Sequence, residues 1–270
     1  MTLTNRAGTA TATVLAAALC AACGGSSSPA APTPPNPAVL PSGGVCGALS
    51  GSATAIVNGT DCSTPTAAVV LLNLRDSDGQ QFGGCSGTII APRAVLTAAH
   101  CLQAGVASVR MFLGSGPQIE ATSFTPAPNY QENDPNALDV GIVRFGQDIG
   151  RTPIPLLLGR EARVGETAIV AGWGRDQNSV SDQLRAGSTT ITAVGATFLQ
   201  TEFSASAASV CAGDSGGPLL VDENGVWAVA GVTSAVTNAV CNSGTDYYAA
   251  VHNPATASFI LGLVPDAARR

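Results

Sequence analysis

Apolar residues along this chain fall in short runs, many of them β-branched, separated by frequent glycine and proline. The stretch 136–145, Asn-Ala-Leu-Asp-Val-Gly-Ile-Val-Arg-Phe, is one such run. No long segment repeats its apolar positions with the 3.6-residue period of a buried helix, so the pattern predicts a mostly β domain. One short helix is predicted near the C-terminus, around Ala255–Leu263. The first 22 residues differ: Arg6 precedes an Ala/Leu/Val-rich stretch too short to span a bilayer comfortably, which predicts an export leader. Ser26 to Pro41 carries proline at 29, 32, 34, 35, 37 and 41 among Ser and Ala, and reads as an extended spacer that cannot bury a core.

The leader ends Leu19-Cys20-Ala21-Ala22-Cys23 and runs into Gly-Gly-Ser-Ser-Ser-Pro. Small residues before a cysteine with a flexible polar tract after it resemble a bacterial lipoprotein cleavage site. That resemblance makes Cys23 the candidate lipid attachment point; ordinary signal cleavage nearby and release of a soluble protein is the alternative. The reading divides the chain into a leader at 1–22, a Ser/Pro-rich tether at 23–45, a pro-segment at 46–55 and a folded domain at 56–270.

Composition narrows the function classes. With 270 residues, 45% hydrophobic and 11% charged, the chain is long enough for a sizeable core. A formal net charge of −6 gives no electrostatic reason to bind nucleic acid or an anionic surface. Eight cysteines are present. If Cys20 leaves with the leader and Cys23 is lipidated, six remain, an even set that in an exported protein implies disulfides. None has paired zinc-ligand spacing, and no metal or cofactor is expected.

Two segments carry the chemistry. Residues 211–218 read Cys-Ala-Gly-Asp-Ser-Gly-Gly-Pro, and residues 96–101 read Leu-Thr-Ala-Ala-His-Cys. The first sets Ser215 in a glycine-rich turn. A serine hydroxyl is a poor nucleophile near neutral pH and needs a base; His100, one of two histidines in the chain, suits that task. Asp139, heading the apolar run, is the candidate carboxylate to orient the imidazole and stabilise its charged form. The order His, Asp, Ser differs from those of subtilisins and α/β-hydrolases. With Gly172-Trp173-Gly174 in addition, the sequence from Ile56 nearly to the C-terminus resembles a trypsin/chymotrypsin-type serine endopeptidase.

This resemblance implies an all-β fold of two packed six-stranded antiparallel barrels, His100 and Asp139 in the first and Ser215 in the second. It implies an oxyanion hole from the N–H groups of Gly213 and Ser215, and support of Asp139 by Ser234. It pairs Cys85 with Cys101 and Cys211 with Cys241, and with those taken Cys46 is left for Cys62. Closing the histidine loop contributes roughly 3 kcal/mol in the chain-entropy model. Ile56-Val57-Asn58-Gly59 resembles the new N-terminus that family zymogens expose, the freed amino group of Ile56 pairing with Asp214. Residue 55 is Ala, so a trypsin-like activator is not expected to make that cut.

Specificity residues are placed in the same way. Ser209 stands where trypsin-like enzymes carry an aspartate, followed by Val210. Ser234-Ala235-Val236 replaces the family's Ser-aromatic-Gly, with Val236 narrowing the pocket entrance as in elastases. Asp246 falls near the pocket base and Tyr248 behind it. Two readings stand: Asp246 screened beneath Val210 and Val236, giving preference for Ala and Val, or Asp246 reaching a substrate Arg or Lys. His252 and Trp173 are read as structural, and a calcium loop is not expected around Glu120. The expected partners are protein or peptide substrates and protein inhibitors, with no nucleic acid and no membrane beyond a lipid anchor; the enzyme is expected to be an extracytoplasmic monomer. Two rivals are a silent relative that only binds, and an esterase; Gly213-Asp214-Ser215-Gly216-Gly217 matches the esterase elbow in spacing alone.

Overall fold

Strands dominate because the short β-branched runs pair antiparallel and bury their apolar positions between layers. The computed structural model describes residues 44–49, 60–62, 66–103, 105–128, 130–132, 134, 136–176, 178–179, 183–204, 207–238, 241 and 243–270. The leader, the tether as far as residue 43 with Cys23, and Ile56 lie outside the described residues, whereas Gly44 and Val45, read as the end of the tether, open a 3-10 helix.

In chain order the first eight strands are β1 (Thr60–Asp61), β2 (Val69–Arg75), β3 (Gln81–Ala91), β4 (Ala94–Thr97), β5 (Ser108–Phe112), β6 (Ile119–Glu120), β7 (Ser123–Pro126) and β8 (Gly141–Arg144). Six more follow: β9 (Thr167–Gly172), β10 (Arg185–Val194), β11 (Phe198–Glu202), β12 (Pro218–Glu223), β13 (Val226–Val236) and β14 (Thr245–Ala250). They end in one helix, α1 (Pro254–Leu263). Asn253 caps it, its Oδ1 accepting the N–H groups of Ala255 and Thr256, and Pro254 occupies the first turn, where a missing N–H does no harm.

Two sheets result, as the all-β expectation required. The later strands run β10-β11-β14-β13-β12-β9, and a β9–β10 ladder closes them into a six-stranded barrel with β1 added on β10. Its interior holds Leu157, Val170, Leu199, Leu219, Val221 and Tyr248. The earlier strands run β6-β5-β2-β3-β4-β8-β7 and form a half-barrel; among the described residues no ladder joins β7 to β6. Here the expectation of two like barrels is refined. β6 is two residues long and β7 ends at Pro126, whose nitrogen cannot donate, so little backbone is available for a closing ladder. Leu72, Ile89, Leu96, Met111 and Ile142, each at most 1% exposed, fill this sheet's side of the core.

Disulfides join Cys46 to Cys62, Cys85 to Cys101 and Cys211 to Cys241. The first ties a short 3-10 helix, Gly44–Leu49, to the chain beside β1. Cys46 and Leu49 are fully buried in the core, so part of the segment read as a pro-piece belongs to the packed body. Trp173 is packed as expected, its Nε1 donating to the Val69 carbonyl at 3.2 Å and its ring edge-on to Phe112.

Candidate active site

Backbone register brings the histidine and the carboxylate together. β4 pairs with β8 so that Thr97 lies opposite Gly141; His100 follows the end of β4 and Asp139 precedes the start of β8. Cys101 anchors the histidine turn to Cys85 on β3. Asp139 is fully buried, a position that a carboxylate tolerates only with donors on its oxygens. It has three. The main-chain N–H of His100 donates to Oδ1 at 2.9 Å, His100 Nδ1 lies 2.8 Å from Oδ2, and Ser234 Oγ donates to Oδ2 at 2.6 Å. A carboxylate only accepts, so Nδ1 carries the proton and the Nε2 lone pair of the neutral ring faces away from Asp139. The His100 side chain is 29% exposed and reaches the cleft.

The serine turn sits between the sheets, just before β12. Asp214 N–H donates to the Cys211 carbonyl, and Gly217 N–H to the Asp214 carbonyl, which coils residues 211–217 tightly. Arg175 N–H donates to the Ala212 carbonyl at 3.0 Å. In a trans peptide N–H and C=O point oppositely. The bonds to the Ala212 and Asp214 carbonyls therefore fix the N–H groups of Gly213 and Ser215, each pointing away from the donor on its own peptide's carbonyl. Among the described residues neither N–H donates to a protein acceptor. Gly213 has φ +99°, and a Cβ there would meet Gly174 Cα at 2.9 Å, so glycine is required.

Asp214, 2% exposed, turns inward, its carboxylate accepting from Gly174 N–H at 2.8 Å and Cys211 N–H at 2.9 Å. Burial pushes its pKa up to about 7, against the downward pull of those two N–H groups and of Arg185.

Of the residues placed around the specificity pocket, Ser209, Val210, Asp246 and Tyr248 are brought together deep in the closed barrel. Asp246, fully buried, accepts from Ser209 Oγ at 3.2 Å, Val210 N–H at 3.2 Å and Thr201 Oγ1 at 3.4 Å. Tyr248 Oη lies 3.1 Å from Thr201 Oγ1 behind it. Burial raises the Asp246 carboxyl to about 6 despite these donors. Val236 stands opposite Asp246 across the β13–β14 ladder but is 39% exposed, at the cleft rather than in the barrel.

A cleft of about 720 Å³ opens beside His100 and Ser234, and Tyr130, Phe198, Ala235, Val236 and Tyr247 also line it. Tyr130, Phe198, Tyr247 and Thr201 escaped the sequence reading. An isolated aromatic or threonine in a strand carries no motif, and only the β11–β14 pairing sets Phe198 and Thr201 beside their partners. His252 stands apart, 3.5 Å from Glu161, and Glu120 pairs with Arg110. Cys85 and Cys101 crowd His100, but their sulfurs are spent on each other. Among the described residues no helix is long and apolar enough to cross a membrane.

The trypsin family model matches residues 56–258. Phenoloxidase-activating factor 3 of Holotrichia diomphalia is 28% identical over 229 residues, 68% of this chain and 64% of that protein, so the chain spans just under two thirds of this relative. Chymotrypsin of Phaedon cochleariae is 32% identical over 196 residues, 62% of this chain and 69% of its own. The solved structure of HL collagenase superposes with a TM-score of 0.64 at 22% identity, covering 78% of this chain and 99% of that one, a likeness of fold. Both sequence relatives are insect proteins and lend no support to the bacterial source suggested by the leader.

Proposed function

The chain belongs to the trypsin family of serine proteases, and on that premise we propose that it is an exported serine endopeptidase acting through Ser215, His100 and Asp139. One observation carries the reading: a fully buried Asp139 holds His100 by both its main-chain N–H and Nδ1, and is itself held by Ser234. Asp139 fixes the tautomer in which Nε2 accepts the Ser215 proton as the hydroxyl attacks the scissile carbonyl. The charge that develops on the carbonyl oxygen is met by the Gly213 and Ser215 N–H groups. His100 then protonates the leaving amine, and water repeats the sequence on the acyl-enzyme. Removing one donor of such a hole typically slows turnover about 100- to 1000-fold.

Burial of Asp246 under Ser209, Val210 and Thr201 supports the screened pocket, with cleavage after Ala and Val, over the reading in which Asp246 binds Arg or Lys. The buried Asp214 lacks a fully charged partner within hydrogen-bond reach among the described residues, and the freed Ile56 amino group is the partner proposed for it. A buried ammonium and carboxylate are tolerable together and costly apart. Cleavage after Ala55 would then complete the site, and the Cys46–Cys62 bridge would keep the pro-segment attached. Attachment to a membrane through lipid on Cys23, with the tether as spacer, belongs to the same proposal, as do protein substrates and inhibitors as partners.

The test is a panel of chromogenic peptides with Ala, Val, Leu, Phe, Lys or Arg before the scissile bond, with Ser215→Ala as blank. Turnover led by Ala and Val, lost in the blank, is expected. Preference for Arg or Lys would overturn the screened pocket, and equal turnover by the blank would overturn the enzyme assignment.

A further inference from the structure

We infer that Ser86, on β3 of the half-barrel, is a positioning residue that presets the oxyanion hole, an inference resting on Ser215 as the nucleophile. Ser86 is fully buried, and every polar group it has is engaged. Its hydroxyl donates to the Gly213 carbonyl at 2.9 Å and accepts the Trp173 N–H at 2.8 Å. Its main-chain N–H donates to the Ser215 carbonyl at 2.8 Å, and its carbonyl accepts from Thr97 Oγ1 at 2.8 Å. An amide N–H cannot accept, so the single hydroxyl proton is directed at Gly213.

The pattern of these bonds gives the inference its content. The hole is offered by the peptides 212–213 and 214–215; Ser86 grips the carbonyls of the two alternating with them, 213–214 and 215–216. Arg175 and Gly217 hold the carbonyls of the remaining pair. Four consecutive peptides are thus fixed in orientation, two of them by one residue of the opposite sheet. Gly213 is the residue at which rotation would be sterically easiest, being glycine at positive φ, and the Ser86 hydroxyl opposes rotation there. The space around Ser86 is as closely fitted: a Cβ on Gly172 would come within 2.9 Å of Ser86 Oγ, and one on Gly217 within 3.3 Å of its Cβ. Ser86 touches no substrate; it acts through Gly213.

Ser86→Ala tests this in the activated enzyme, with active sites counted by burst titration. The expected result is kcat per titrated site lower by about 10- to 100-fold, short of outright loss of a donor, with KM little changed. Affinity for a peptide boronate, whose tetrahedral adduct uses the hole, should weaken by the same factor. A lower melting temperature with kcat and boronate affinity within two-fold of wild type would make Ser86 merely structural and overturn the inference. So would a rise in KM alone. If Ser86→Ala does not fold, Ser86→Cys, which keeps a weak donor, should show a smaller loss with kcat and boronate affinity still falling together; an unchanged kcat there overturns the inference equally. Failure of the parent reading looks different: wild type would not titrate, or Ser215→Ala would match it, and the inference would fall with it.

Discussion

Asp139 and Asp246 are both fully buried carboxylates, and they have been given opposite surroundings. Asp139, at the edge of the half-barrel, faces an imidazole that gains charge during the proposed reaction, and that imidazole reaches solvent. Asp246, inside the closed barrel, has neutral hydrogen-bond partners among the described residues: Ser209, Thr201, Tyr248 and the Val210 N–H. The lesson concerns partners rather than depth. A buried charge facing a group that becomes cationic is placed to stabilise that cation, whereas one ringed by hydroxyls gains no such partner and desolvation disfavours its charge, raising Asp246 to about 6.

The sharpest way to break this contrast is at Asp139. Asp139→Asn should lower kcat by about 10,000-fold with KM little altered, because the amide leaves His100 in the wrong tautomer; steady-state kinetics on an Ala-terminated substrate measures it. Loss of less than ten-fold would mean that the carboxylate is only structural. Ser234→Ala removes one donor from the same carboxylate. It should lower stability by about 1.5–3 kcal/mol, the range for a hydrogen bond to a charged group, and reduce turnover less than Asp139→Asn; denaturant unfolding and kinetics together report both.

At the pocket the effects should be smaller and of another kind. Val236→Gly should admit larger side chains, shifting the Leu-to-Ala ratio of kcat/KM by roughly 10- to 100-fold at about 1–3 kcal/mol per group accommodated. Asp246→Asn should change turnover of Ala substrates only a few-fold. Its signature is in stability. Between about pH 4 and 6 the folded protein keeps a proton on Asp246 that the unfolded chain has released, so this residue makes stability fall as pH rises through that window. The Asn variant should lose that fall in chemical denaturation at stepped pH. An unchanged slope would show Asp246 to be ionised throughout.

Legibility in the sequence followed the range of the interactions involved. His100, Asp139 and Ser215 were legible as candidates because each lies in a short run whose residue types serve one chemistry, and the helix expected around Ala255–Leu263 spans Pro254–Leu263. The half-barrel was not visible: whether a sheet closes depends on pairing between β6 and β7, which no local pattern states. Ser86 was missed for the same reason. A serine beside a half-cystine means nothing until folding brings Gly213, 127 positions later, onto its hydroxyl. Thr201, 45 positions before the Asp246 it contacts, is a further case.

The most direct measurement is labelling of the protein, cleaved after Ala55 as proposed, with a fluorophosphonate, read by intact mass and peptide mapping. One adduct per chain on Ser215 is expected, formed far more slowly in Asp139→Asn and absent in Ser215→Ala. An adduct that persists in Ser215→Ala, or a labelling rate indifferent to Asp139→Asn, would contradict a serine activated through His100 and Asp139.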